Sequence, residues 1–272
     1  MKKLGLCLSG GGARGAYQIG AVQALEDLGI YKHVSMISGA SIGAANAAIL
    51  STNPIEVAKN LWFNIPKDPM GEQKSIVSQL KEKKLDILNQ GLYAMHGMDD
   101  ILIKHFNQSQ FKPIDLYISI SECGTENDGF TKVLKTSLNH RLRNKDEATY
   151  IHINTLDENT AMKVIKASCS MPAIFPPVII DGKKYYDGGI LDNTPIKPLI
   201  ENGCSDIILI STAFFGTKNT TKILPKDIIF HEIKNTNKNE SVLSFTTEYA
   251  QTLYHEGYEN TIHYFKQHPY TF

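Results

Sequence analysis

The chain has 272 residues, 42% of them hydrophobic and 21% charged, with 28 Lys+Arg against 28 Asp+Glu. That length holds one large domain or at most two small ones, with a sizeable core. The balanced charge excludes a strong general field for nucleic acid or an anionic membrane, and no run approaches the ~20 apolar residues that span a bilayer.

The first residues, "MKKLGLCLSGGG", begin like a signal peptide, with two lysines before an apolar run. The run is short, broken by glycine and followed by no small-residue cleavage site, so residues 3–9 read as a buried strand instead. Apolar spacing through Ala16, Ile19, Ala21, Val22, Leu25 and Leu28 predicts a helix over 14–28, stopped by Gly29. A second short strand over 33–38, the turn "GASIG" and a small-residue helix "AANAAIL" follow. Strand, helix, strand, helix is the start of a parallel α/β sheet.

Helices are expected over 54–63, with Asn53 as cap and Pro54 at the first helical position, and over 75–89. "GLYAMHGMDD" reads as a loop leading into a helix that ends near Phe106. Strands are expected at 116–121 and 150–154, and Asp157 as the cap of a helix to about Ser168. After "AIFPPVII" and "KKYYDGG" comes a final core strand, "DIILIST", at 206–212. From Gly216 the chain turns polar before a terminal helix around 242–265. Residues 1–272 thus read as a single domain, its core about 3–215, with 216–272 a polar connection and a helix packing on that core. Cys7, Cys123, Cys169 and Cys204 are scattered without a C-x-x-C pair. This pattern favours a reducing compartment over a disulfide framework or a zinc site.

Three short stretches carry chemistry. "GASIG" at 39–43 fits G-x-S-x-G, in which a serine sits on a sharp strand-to-helix turn and flanking glycines leave room for it. Its strand-like and helix-like flanks are those a nucleophile elbow requires; the plain alternative is a turn serine without chemistry. "GGGARG" satisfies G-x-G-x-x-G through Gly10, Gly12 and Gly15, which suggests a dinucleotide loop. No acidic residue ends the second strand and no Gly-Lys-Ser/Thr follows, so neither a dinucleotide nor a P-loop fits. Successive N–H groups at a helix start suit an oxyanion better. Arg14 either braces this loop and adds positive potential, or is a first-turn cation facing solvent. "YYDGG" at 185–189 sets Asp187 after a short strand, as a base or as an ordinary turn residue.

In this order, glycine loop, G-x-S-x-G and D-G-G resemble the patatin-like phospholipase family. The likeness extends through "ASCSMPAIFPPVIIDGKKYYDGGILDNTPI" at 167–196 and covers roughly the first 215 residues. It implies a three-layer α/β/α fold around a mainly parallel sheet and a Ser–Asp dyad. Ser41 is then the nucleophile and Asp187 its base. Gly11 and Gly12 supply the oxyanion hole with Gly10 and Arg14 beside them, and Gly15, Gly39, Gly43, Gly188 and Gly189 are the motif glycines. It further implies hydrolysis of fatty acyl esters of phospholipids or lysophospholipids, without metal or cofactor, at a membrane or micelle surface. An aspartate with an ordinary pKa of ~3.9 is a poor base for a hydroxyl, so Asp187 is expected to be partly desolvated.

The histidines offer a competing triad, since in α/β-hydrolases the histidine follows the acid. His231, His255, His263 and His268 do so here, but in polar surroundings that read as surface. His33, His96, His105, His140 and His152 precede the acid, and His152 alternates with Ile151 and Ile153 as on one face of a strand. Leu92, Tyr93, Met95 and Met98 suit an adaptable lid or acyl-chain mouth, or a loop packed on the core. Lys81, Lys83 and Lys84 suit an anionic lipid surface, or a solvated helix face. An acyltransferase of similar fold and a non-catalytic lipid-binding module are the other function classes. The expected location is cytoplasmic, peripheral to a membrane.

Overall fold

Strand β1 (Leu4–Leu8) is buried at all five positions, as an interior parallel strand must be. Leu6 and Leu8 face one side and Cys7 the other, so each face of the sheet has its own apolar cluster. The computed structural model describes residues 2–65, 96–125, 127–128, 148–172, 174–212, 224–235, 242 and 244–271. Among these, β2 (Val34–Gly39), β3 (Asp115–Thr125), β4 (Thr149–His152), β5 (Val178–Ile180), β6 (Lys183–Asp187), β7 (Asp206–Ser211) and β8 (Ile229–Lys234) join β1 in one sheet. The order is β5-β6-β3-β2-β1-β7-β8, with β4 paired to β3. Pairings from β3 across β2, β1 and β7 to β8 are parallel; β4, β6 and β5 add antiparallel pairings.

Helices cover both faces. On one lie α1 (Gly15–Asp27), α2 (Ile42–Thr52), α3 (Ile55–Phe63), α4 (His96–His105), α5 (Glu158–Ser168) and the terminal α7 (Thr247–Gln267), which contribute to the larger cluster. On the other, the short α6 (Lys197–Glu201) sets Leu199 against Cys7, Ile207 and Leu209. This is the expected mainly parallel α/β arrangement. Asp157 caps α5 through Thr160 N–H, as its sequence position predicts.

Several boundaries differ. β8 was not expected: its pattern is partly exposed and polar, because it is an edge strand covered on one side by α7. The parallel pairing with β7, from Asp206↔Ile229 to Ser211↔Lys234, supplies what its composition lacks. The expected "GLYAMHGMDD" loop is already helical from His96, and β4 stops at His152, giving way to a 3-10 turn. The helix expected over 75–89, its three lysines, and Leu92, Tyr93 and Met95 lie outside the described residues, while Met98 falls within α4.

The topology gathers loop ends at one edge. β1 and β2 are neighbours, so the loops after Leu8 and after Gly39 emerge side by side. β3 pairs Ile118 with Gly39 of β2 and Ile120 with Asp187 of β6. The elbow and the carboxylate therefore sit across a single strand from one another. Carboxyl ends of parallel strands are where open α/β sheets place their ligand sites.

Candidate active site

Ser41 stands between β2 and α2 with φ 54° and ψ −130°, a left-handed conformation for a non-glycine residue. The turn is tight because α2 starts against β1: a Cβ on Gly43 would collide with the Leu8 carbonyl. Ser41 Nα–H donates to Ser168 Oγ at 3.0 Å, and Ser168 Oγ–H donates in turn to the Ser119 carbonyl at 2.7 Å. The end of α5 and strand β3 thus hold the elbow. The Cys169 thiol donates to the Ser41 carbonyl at 3.1 Å, and burial pushes that thiol's pKa up.

Ser41 Oγ–H donates to Asp187 Oδ2 at 2.6 Å. The two residues are 146 positions apart in the chain, and both are buried, at 8% and 5% exposure. The other carboxylate oxygen, Oδ1, accepts Gly189 N–H at 2.7 Å. Asp187 N–H donates to the Ser170 carbonyl, and its own carbonyl accepts Ser121 Oγ–H, both at 2.9 Å. Burial raises its pKa to about 6, against the lowering effect of the Ser41 and Gly189 donors. The desolvation expected of a base is present. Asp192, a partly buried carboxylate further along the same segment, is engaged elsewhere, by Tyr150 Oη–H at 2.7 Å and Thr194 N–H at 2.9 Å.

The glycine loop joins β1 to α1 through a 3-10 turn at Gly12–Arg14. Gly12 has φ +58°, and a Cβ there would strike the Val242 carbonyl, which accepts Ala13 N–H at 2.7 Å. Among the described residues the N–H groups of Gly11 and Gly12 have no protein acceptor. Gly10, expected beside those two among the oxyanion-loop residues, has its own N–H engaged, donating to the Asn193 carbonyl at 3.1 Å. Arg14 is buried, and Nη1 donates to the Thr212 carbonyl at 3.3 Å. Its place is beneath the loop, tying it to the end of β7, and the solvent-facing alternative falls.

The remaining motif glycines are packing positions. Gly15 lies against Trp62 and Ile42, Gly39 against Gly43, and Gly188 against the Ser119 carbonyl.

Sequence reasoning passed over the support beneath the loop. Gln18 donates to the Ser9 carbonyl at 2.6 Å, Asn46 to the Gly15 carbonyl and to Gln18, and Trp62 to Asn46. Gln18 and Asn46 look like surface residues by type but are buried; their signal was a polar residue on an otherwise apolar helix face. Ser168, Asn193 and Thr212 had no comparable signal, since each acts through a partner distant in the chain.

Among the described residues no histidine hydrogen-bonds to Ser41 or Asp187. His152 bonds Asp115 at 3.2 Å and stacks on Tyr117. His231 corrects the surface reading: it lies on β8, half-buried among Tyr264, Phe265 and Tyr270, and burial lowers its pKa.

Comparison with known proteins bears on the family and the fold. The patatin-like phospholipase family profile matches residues 6–200. Lysophospholipase NTE1 of Cryptococcus neoformans var. neoformans serotype D is 29% identical over 220 residues, 77% of this chain and 11% of that protein. Lysophospholipase NTE1 of Candida glabrata is 25% identical over 234 residues, again 11% of its length. The chain thus spans about a tenth of the curated relatives it matches. In fold it is similar to VipD from Legionella pneumophila, with a TM-score of 0.53 at 17% identity, over 98% of this chain and 67% of that one. With its profile spanning glycine loop, elbow and carboxylate, the chain belongs to the patatin-like phospholipase family.

Proposed function

We propose that this protein is a serine acyl hydrolase that cleaves fatty acyl esters of phospholipids or lysophospholipids through an acyl-enzyme. The observation that carries the reading is the 2.6 Å bond from Ser41 Oγ to a buried carboxylate whose pKa is raised to about 6. Asp187 takes the Ser41 proton as Oγ attacks the ester carbonyl carbon. The N–H groups of Gly11 and Gly12 receive the developing oxyanion, and the protonated Asp187 then gives its proton to the leaving alcohol. A water, deprotonated by the same carboxylate, releases the fatty acid and restores the serine. A base with a pKa near 6 is ionised at neutral pH yet far stronger than a solvated aspartate.

We read the chain as one catalytic domain, because a single sheet carries β1 to β8 and α7 packs on α1. Its lipid is met at a membrane or micelle surface, and its setting is cytoplasmic and peripheral, a reading supported by four buried cysteine thiols that form no disulfide. No helix among the described residues is long and apolar enough to cross a membrane.

The test is fatty acid release from lysophosphatidylcholine micelles and phosphatidylcholine vesicles, with and without a competing alcohol acceptor. Release into water supports the hydrolase; transfer to the alcohol at water's expense supports an acyltransferase; no turnover of either lipid removes the reading. On a soluble short-chain ester, kcat/KM is expected to show an acid limb near pH 6. Asp187 must be ionised to act, so the rate falls about tenfold per pH unit below that point. A limb near pH 4 would mean a solvated carboxylate.

A further inference from the structure

We infer that Asn193 is a positioning residue for the oxyanion loop, a role that rests on the acyl-hydrolase reading above. Asn193 follows the Asp187-Gly188-Gly189 turn, yet its bonds go to the glycine loop, 183 residues away in the chain. Its backbone carbonyl accepts Gly10 N–H at 3.1 Å, and its side-chain Nδ2 donates to the Gly10 carbonyl at 3.2 Å. Both polar groups of one peptide residue are therefore held by a single partner. The Gly10 carbonyl accepts a second bond, from Thr212 Oγ1–H at 3.1 Å.

The amide also fills the gap between the two catalytic segments. A Cβ on Gly10 would collide with its Oδ1, and one on Gly189 would fall 2.5 Å from the same atom. Gly10 in turn sits against the Ser41 side chain, a Cβ there falling 2.9 Å from the serine Cβ. Gly189 supplies the N–H that holds Asp187 Oδ1. One side chain thus touches the residue beside the unengaged N–H groups of Gly11 and Gly12 and the residue that orients the base.

With its N–H and carbonyl both fixed, Gly10 sets the direction from which the peptide of Gly11 leaves it. The Gly11 and Gly12 N–H groups inherit that direction. Oxyanion donors act only when aimed at the place the charge will occupy, and removing one lowers kcat by about 10²–10³-fold. Loosening their aim, with both still present, is expected to lower kcat by roughly 10–100-fold.

The experiment compares wild type with Asn193→Ala on a soluble short-chain ester, with a trifluoromethyl ketone that binds as a hemiketal oxyanion, and by thermal unfolding. The expected result is a kcat fall of about 10–100-fold with KM within about twofold, and a parallel loss of trifluoromethyl ketone affinity, at a temperature where both proteins are folded. Asn193→Ser, too short to reach the Gly10 carbonyl, is the second variant if alanine does not fold, and is expected to show the same pattern. A folded variant that keeps kcat and ketone affinity within about threefold of wild type overturns the assignment, whatever its melting temperature. So does a KM rise at constant kcat, which would put Asn193 in substrate binding. Wild type inert toward both ester and ketone would instead sink the hydrolase reading on which the inference stands.

Discussion

Asp187→Asn is expected to lower kcat by about 10³–10⁴-fold and, at pH 8, to make the protein more stable. The first effect follows from role: an amide of the same shape keeps the Gly189 contact but cannot accept the Ser41 proton. Loss of one member of such a unit removes most of its rate while loop and binding contributions persist. Ser41→Ala, which removes the nucleophile, should abolish labelling by a fluorophosphonate probe altogether.

The second effect follows from burial. The folded pKa of Asp187, about 6, lies above the ordinary aspartate value of 3.8, so the folded state holds this proton more tightly than the unfolded one. The carboxyl's contribution to stability is fullest below about pH 4 and is lost as pH rises through 6. Two pKa units correspond to roughly 3 kcal/mol, which for a chain of this size is a shift on the order of 5 °C in Tm. Calorimetry at pH 8 should therefore find Asp187→Asn above wild type, with the gap closing near pH 4. An Asn variant that melts lower at pH 8 would show that the carboxylate stabilises the fold, against this reading of the site.

Gly257→Val should be the most destabilising single substitution remote from the chemistry, by at least about 3 kcal/mol. Helices α1 and α7 cross with their backbones in near contact. A Cβ on Gly257 would collide with the Tyr17 carbonyl of α1, and one on Gly20 would collide with the Tyr254 carbonyl of α7. The obstruction is backbone on both sides, so no side-chain rotation relieves it and the helices must separate. Around the crossing, Leu253 and Ala250 of α7 are buried, Tyr17 Oη accepts Asn260 Nδ2–H at 3.0 Å, and Tyr254 meets Phe63 edge-on at 5.2 Å.

Separation would also reach the site. The segment that enters α7 places the Val242 carbonyl on Ala13 N–H and stacks Phe245 on Trp62. Urea unfolding of Gly257→Val and Gly20→Val should show lowered midpoints, with ester hydrolysis falling even where the variants remain folded. An unfolding free energy within about 0.5 kcal/mol of wild type would mean that the two helices do not pack this closely.

How much of this was legible beforehand differs by element. Residues 3–9, "GASIG" and 206–212 carry local signals strong enough to name β1, the elbow and β7, because a buried parallel strand must be apolar throughout. The Asp157 cap was equally local. β8 was invisible: "IFHEIK" is half-exposed at a sheet edge, and only its pairing with β7 makes it a strand. Arg14 was ambiguous for the same reason, its place beneath the loop depending on the Thr212 carbonyl 198 residues later.

By itself, then, the sequence determined the α/β class and the order of the three motifs, and through their resemblance to a family it marked Ser41 and Asp187 as the candidate pair. These rest on residue types and short spacings, which chain connectivity preserves. Only the tertiary structure decided that the two side chains meet at 2.6 Å, that Asp187 is dry enough for a pKa near 6, and that Gly10 is held rather than offered. Each of those is a distance or a degree of burial between segments far apart in the chain. Such quantities arise only when strands pair and helices pack, because solvent exclusion and hydrogen-bond direction belong to the assembled sheet and not to any one stretch of it.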